Sequence, residues 1–173
     1  MTNRLLLGYL ALTVLVLAVL EIPLGITYAR NERSDLTSKV ERDAVAMASL
    51  AQDALEAGAR RRDLVPVERI ALEYAEDTGG RMVVVDRGGR AVIDTSPRFD
   101  EGRDFTTRPE IGEALRGEVA TGVRPSETLG MNLLYVAVPV ASQGQIHGAV
   151  RITYPTSAVD ARVHRYWAVL VAI

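Results

Sequence analysis

Apolar and polar positions divide the chain into three stretches. Leu5 to Leu20, LLLGYLALTVLVLAVL, is 16 residues without a charge, a polar block follows as far as Arg165, and a second uncharged run, YWAVLVAI, starts at Tyr166. A cleaved signal peptide has an apolar core of about 7 to 15 residues and ends in small residues at its cleavage site. The sequence EIPLGITYARNE offers no such site. Counted through Glu21 and Pro23 to Tyr28, the first segment has 24 residues. That is about 36 Å of helix against roughly 30 Å of hydrocarbon. It is read as a membrane span over residues 5–28, with Glu21 placed at an interface, where a carboxylate is less costly than in lipid. Residues 166–173 are read as the start of a second span. Residues 29–165 then form an extracytoplasmic domain held at both ends, and residues 1–4 are cytoplasmic. Tyr28, Tyr166 and Trp167 would share one interface, where amphipathic rings are favoured. Flanking charge does not orient the protein, since Arg4 stands before the first span and Arg30, Arg33, Lys39 and Arg42 after it; the orientation rests on the two-span architecture.

Within the polar block the period is first helical. Leu36, Val40, Ala44, Met47, Ala51 and Leu55 recur every three or four positions, and no Gly or Pro intervenes between Asn31 and Gly58. This predicts a long amphipathic helix continuing out of the span, whose stripe packs on its own domain or, along part of its length, forms a dimer seam. PVERIALEYAEDTGG predicts a second helix with Pro66 in its first turn and Gly79-Gly80 ending it. Arg60-Arg61-Arg62 is read as a solvated turn between the two. The period then becomes two. RMVVVD and RAVIDTS are β-branched runs joined by Arg87-Gly88-Gly89-Arg90, a hairpin signal. RPEIGEALRG predicts a short helix with Pro109 at its start and Gly117 after its end. EVATGVR, NLLYVAVPVA and IHGAVRITY are three further strands, with Pro139 tolerable only at an edge, a bulge or a strand end. Ser157 as an N-cap, Asp160 three residues on and no breaker as far as Ile173 predict one helix running from the last strand into the second span. The elements sum to an α+β domain: an antiparallel sheet of about five strands with helices on its faces.

Composition narrows the chemistry. Net charge is −2, and residues 31 to 165 hold 18 basic and 21 acidic side chains, so the chain lacks the positive field that nucleic acid would require. There is no Cys, which excludes disulfides, thiolate metal sites, a cysteine nucleophile and a lipoprotein anchor. No nucleophile elbow or metal-ligand cluster is present, so no catalytic or metal-binding residue is assigned. RGGR is a hairpin turn and not a phosphate loop, which would lead into a helix.

The stretches MVVVDRGGRAVIDTSPRFDEGRDFTTRPEIGEAL and LLYVAVPV, followed by GQIHGAVRITYP and enclosed by two spans, are similar to a known arrangement: strand, Asp-x-x-Gly turn, strand, Gly-Arg-Asp-Phe loop, short helix and closing strands. In that order they resemble the extracytoplasmic single-Cache (PAS-like, PDC) sensory domains of bacterial sensor histidine kinases in two-component systems. The resemblance covers residues 31 to 165 and both spans. It implies a membrane receptor for signal transduction that detects a small-molecule or envelope signal, with an anion among the candidates. It also implies a homodimer and a cytoplasmic kinase that uses ATP and Mg and phosphorylates a response regulator. That kinase region is not in these 173 residues, and no cofactor is expected in the chain itself. His147 falls in a strand, and His164 lacks the Glu and Pro neighbours of a phospho-accepting histidine. A chemoreceptor module, a nucleotide cyclase module and a tethered binding protein are the alternatives.

Such folds place a ligand between the sheet and the loop and helix after the second strand, here Thr95 to Ile111. Arg108 stands where that loop becomes a helix, so its guanidinium can meet an anion beside free backbone N–H groups. Arg124, Ser126, Thr95 and Tyr135 are the other candidate ligand-binding residues, a set of convergent donors. The plainer readings are that Arg108 pairs with Asp104 or Glu110 and that Tyr135 is core.

Overall fold

Small side chains set against β-branched ones along each strand decide the architecture. The computed structural model describes residues 2–97, 101–126 and 130–156. The chain divides into an N-terminal unit whose described part ends at Asp35 and a second unit, Leu36–Ser157.

Helix α1 (Thr2–Glu56) carries the first apolar run. Its Leu6–Leu24 part, 19 residues, is long and apolar enough to cross a membrane, at about 28 Å of helix. That window is shorter than the 5–28 expectation and leaves Tyr28 outside it. Thr13 Oγ1 donates to the Tyr9 carbonyl at 2.9 Å and Thr27 Oγ1 to the Pro23 carbonyl at 2.8 Å, which gives both hydroxyls partners without water.

In the second unit α1 runs on to Glu56 and stops where Gly58 and Ala59 take left-handed backbone, φ 89° and 55°. Helix α2 (Arg61–Thr78) ends on Gly79, φ 69°, whose N–H caps Ala75. Its start corrects the sequence expectation. Arg61 and Arg62 are helical, and Pro66 lies beyond the first turn. Leu64, buried against the sheet, draws the turn ahead of Pro66 into the helix, and the lost Pro66 N–H removes one intrahelical bond.

Strands β1 (Arg81–Asp86) and β2 (Ala91–Asp94), helix α3 (Pro109–Leu115), and strands β3 (Ala120–Ser126), β4 (Met131–Ser142) and β5 (Gln145–Pro155) complete the chain order. The five strands form one antiparallel sheet in the order β2-β1-β5-β4-β3, the expected α+β class. The turn after β1 closes on its own aspartate: Asp86 Oδ1 accepts from the N–H groups of Gly88 at 2.9 Å and Arg90 at 3.0 Å. Gln143 and Gly144, φ 49° and 77°, make the two-residue turn between β4 and β5, a geometry that matches the strand twist. Pro139 is accommodated because β3 has already ended: the last β3 pair is Ala120 with Ala137, and the register shifts between Val140 and Ala141.

One face of the sheet is apolar across β2, β1, β5 and β4. Val84, Ile93, Val136, Val138, Val150 and Ile152 pack on α1 and α2, each buried side chain contributing about 1.5 to 3 kcal/mol. The stripe from Leu36 to Leu55 lies in this core, so a dimer seam along those positions is not available. The outward-facing large apolar residues of α1 in this unit are Val45 and Leu50. The other face carries Val83, Val85, Ala91, Ala137 and Ala149 under Phe105, Ile111 and Ala114. Small residues dominate there, and they let α3 sit close to the strands. The predicted helix from Ser157 and the second span lie outside the described residues.

Gly148 has no room for a side chain: a Cβ would collide with the backbone carbonyl oxygen of Val85 and stand 3.0 Å from Leu55 Cδ1. Gly148→Ala is therefore expected to lower stability by about 1 to 3 kcal/mol, measured by urea unfolding of the detergent-solubilised chain followed by circular dichroism; an unaltered midpoint would show that the strands part at no cost.

Candidate ligand-binding site

Residues of alternating direction along β5 build the site. Val150 and Ile152 enter the apolar core, whereas Ala149 packs under α3, and Arg151 and Thr153 follow on that same face by the two-residue period. Arg151 is 2% exposed and Thr153 5%. Helix α3 supplies the counter-charge. Glu110, 4% exposed, brings Oε1 to 2.9 Å from Arg151 Nε. From β3, Arg124 places Nη1 3.7 Å from the same oxygen. The Glu110–Arg151 separation is within hydrogen-bonding range, yet both atoms lack a hydrogen bond, as do Arg151 Nη2 and Thr153 Oγ1. The contact is thus an ion pair whose N–H does not point at the oxygen, and it leaves buried donors unsatisfied.

A second pair flanks the first. Arg81 is bidentate on Asp94, with Nε to Oδ1 at 2.9 Å and Nη2 to Oδ2 at 2.6 Å, and Asp94 Oδ1 also accepts the Ser96 N–H at 2.9 Å. That pair is neutral and fully engaged. Arg108, half-buried at the start of α3, forms no ion pair among the described residues. Burial, followed by the nearby Arg124, holds its pKa below the usual arginine value. Arg151 is pushed down to about 10, first by burial and, against the favourable Glu110 charge, by Arg124, Arg108 and Arg81. Three guanidinium groups, on Arg108, Arg124 and Arg151, therefore face one carboxylate, and the cluster carries excess positive charge.

The structure brings Arg108 and Arg124 together at this point. Tyr135 joins them on the sheet surface, paired with Gly122 on one side and Thr153 on the other. Its ring lies over Gly122, where a Cβ would collide with the phenol oxygen and stand 2.6 Å from Cζ; the ring is half-buried at the site's edge and not deep core. Thr95 is placed differently: its hydroxyl accepts the Met82 N–H at 3.0 Å and its own N–H donates to the Met82 carbonyl at 3.0 Å, so it extends the β1–β2 pairing. Ser126 ends β3 opposite Met131, and its side chain is outside the described residues. Asp104 does not pair with Arg108; its carboxylate takes the Thr106 N–H at 2.7 Å, and those Thr106 hydrogen bonds hold its pKa below the usual value. Since α3 has only seven residues, its dipole adds little, and Arg108 acts through its guanidinium. Sequence reasoning did not single out Arg151, Thr153 or the Arg81–Asp94 pair, and it named Glu110 only as a partner for Arg108. The available signal was Arg151 itself, a charge in the middle of the apolar run GAVRITY.

His147 is engaged elsewhere. Ser142 Oγ donates to Glu56 Oε2 at 2.9 Å and lies 2.8 Å from His147 Nε2. With the serine between the two, the trio ties the end of α1 to the β4–β5 hairpin.

No family model and no curated protein matches the chain. Solved structures do. The V. cholerae histidine kinase DctB sensor domain aligns with a TM-score of 0.68 at 19% identity, over 82% of this chain and 57% of that one. The chain shares the fold of that sensor domain. The sensory domain of the Campylobacter jejuni chemoreceptor Tlp3 with isoleucine bound is similar over 80% of this chain and 60% of that one, at 14% identity and a TM-score of 0.63. A domain of a putative sensory box/GGDEF family protein from Vibrio parahaemolyticus is similar over 83% and 62%, at 11% identity and a TM-score of 0.63. The chain thus spans about three fifths of the length of these neighbours.

Removing one member of a buried ion pair strands the other. Arg151→Met is expected to cost about 3 to 5 kcal/mol of unfolding free energy, and the double variant Arg151→Met/Glu110→Gln to recover most of it. Equal losses in the single and double variants, measured by urea unfolding, would show that the pair carries no coupling.

Proposed function

We propose that the chain is the membrane-anchored, extracytoplasmic sensory module of a two-component sensor histidine kinase. The observation that carries this reading is a buried, arginine-rich, incompletely hydrogen-bonded site on the α3 face of a Cache-like sheet, in a chain that also holds an apolar helix of membrane-spanning length. The DctB likeness supports a kinase output. Residues 5–28 anchor the domain, residues 29–165 lie outside the cell, and residues 166–173 begin a return span, which makes the protein multi-pass. The ligand is a small molecule, as for the Tlp3 domain with isoleucine bound. The protein works as a homodimer, with its contact on the outward face of α1 near Val45 and Leu50, because the inward stripe is occupied. The kinase region, with its ATP, Mg and response regulator, follows in the full-length protein.

A second reading, the same module driving a chemoreceptor or a cyclase, is favoured by the Tlp3 and GGDEF neighbours. The coding sequence downstream of Ile173 separates them. A phospho-accepting histidine followed by Glu and Pro on a helical hairpin supports the kinase, and a long heptad array or a cyclase signature supports the second reading.

Topology is tested with thiols, for which no native Cys competes. Cysteines at exposed Ser49 and Gln143 should react with an impermeant maleimide on intact cells after the outer membrane is permeabilised, and protection of both would place the domain in the cytoplasm.

Signal passage is tested in the full-length protein. Gly-Gly inserted after Arg162 weakens a helix there by roughly 1 kcal/mol per residue and creates a hinge. Output should become independent of the signal while binding by the domain survives; normal response through the insert would rule out a rigid connection.

A further inference from the structure

Arg151 Nη2 and Thr153 Oγ1 are buried donors without partners. The unsatisfied group is a guanidinium edge in the central strand, and such an edge is completed by a planar oxyanion. No solvent reaches these atoms, so an anion gains them only if their cover moves. That cover is α3, which packs on β4 and β5 and whose first turn holds Glu110 against Arg151 and Arg124. The present partner fits badly, since the Glu110 oxygen is near both guanidiniums and hydrogen-bonded to neither. Among the described residues, the two carboxylates buried on this face, Asp94 and Glu110, are both engaged with arginines, which leaves neither of them for a ligand ammonium.

We propose that the site takes a small organic oxyanion without an ammonium group, and that Glu110 is its internal competitor: the ligand carboxylate displaces the Glu110 carboxylate from Arg151 and Arg124, and the first turn of α3 swings outward. Arg108, unpaired at the foot of that turn, is the first cation the anion meets. This rests on the sensory reading above and specifies both what its site binds and which element responds.

The test uses the whole chain in detergent micelles, with malonate, acetate and inorganic phosphate as anionic probes and alanine and isoleucine as amino-acid probes, followed by calorimetry. Malonate should bind most tightly, acetate more weakly and the amino acids not measurably; phosphate binding in place of malonate would assign the oxyanion to a phosphate source and overturn the carboxylate assignment. Glu110→Gln should tighten malonate about tenfold because the competitor is gone, whereas a merely structural Glu110 would give weaker binding in that variant. Should Glu110→Gln not fold, Arg108→Gln supplies the second arm, with an expected tenfold loss of malonate affinity; equal affinity would overturn the proposal. An environment-sensitive dye on a cysteine at exposed Arg116, just after α3, should change its emission with malonate, and a silent dye with malonate bound would overturn the displacement of α3. Binding of isoleucine but not malonate would overturn the proposal and leave the sensory reading intact, since that reading is decided by the downstream sequence and the topology.

Discussion

A guanidinium buried in the central strand of a sheet is the constraint on which the rest of this domain depends. Arg151 cannot reach water, and an isolated charge so placed would be several kcal/mol unfavourable. A carboxylate must therefore be delivered to it. The chain does so with α3, a helix of seven residues that is far too short to persist alone. Ile111 and Ala114 anchor its underside in the second core cluster, and Glu110 fixes its first turn to Arg151. Small residues across the sheet, Ala137 and Ala149, permit the approach. The ion pair is thus less a source of net stability than a device that selects one position for α3.

The two faces of the sheet consequently differ in kind. Beneath α1 and α2, strands β1, β2, β4 and β5 contribute β-branched or long apolar side chains, no charge is enclosed, and burial alone holds the layer. Beneath α3 the core is made of alanines and a few larger residues, and at its edge the packing gives way to Arg81, Asp94, Arg124, Arg151 and Thr153. A permanent interface and a polarisable one share the same backbone. Gly122 belongs to the second: its missing side chain is the space that the Tyr135 phenol occupies over β3.

Much of this was legible in the sequence, and what was not has a physical cause. The helix period and the β-branched runs located the elements of the domain, the runs being continuous where a strand is buried on both faces, as in β1 and β5. The start of α2 was missed because Arg61 and Arg62 look like a solvated turn and Pro66 looks like a first-turn residue; the pull of Leu64 toward the sheet is a tertiary effect. Arg108 and Arg124 were singled out as candidates through their place beside the loop and helix after β2. Arg151, and Glu110 as its partner, were not, because their meeting depends on which strand is central, and β5 enters between β1 and β4 only through long-range pairings, 70 residues apart for Met82 with Ile152. The Thr95 hydroxyl has a local use that sequence alone does not show, against Met82 at the end of β2.

The position of β5 also relates the site to the end of the domain. Arg151 is five residues from Thr156, about 16 Å along an extended strand. Thr156 is held twice to one carbonyl, its N–H to Asn132 O at 3.1 Å and its hydroxyl to the same oxygen at 3.0 Å. Over this stretch β5 pairs with β1 on one side and β4 on the other, so it cannot bend independently of the sheet. A change of partner at Arg151 is therefore felt by a strand clamped on both edges and tied at its last residue, and the softer responses are displacement of α3 and a concerted shift of β4 and β5. Close-packed layers respond to such a change by switching between discrete arrangements and not by graded deformation. Since α3 is held by one misaligned ion pair and a few apolar contacts while the strands are held by continuous ladders, α3 is the element that yields first.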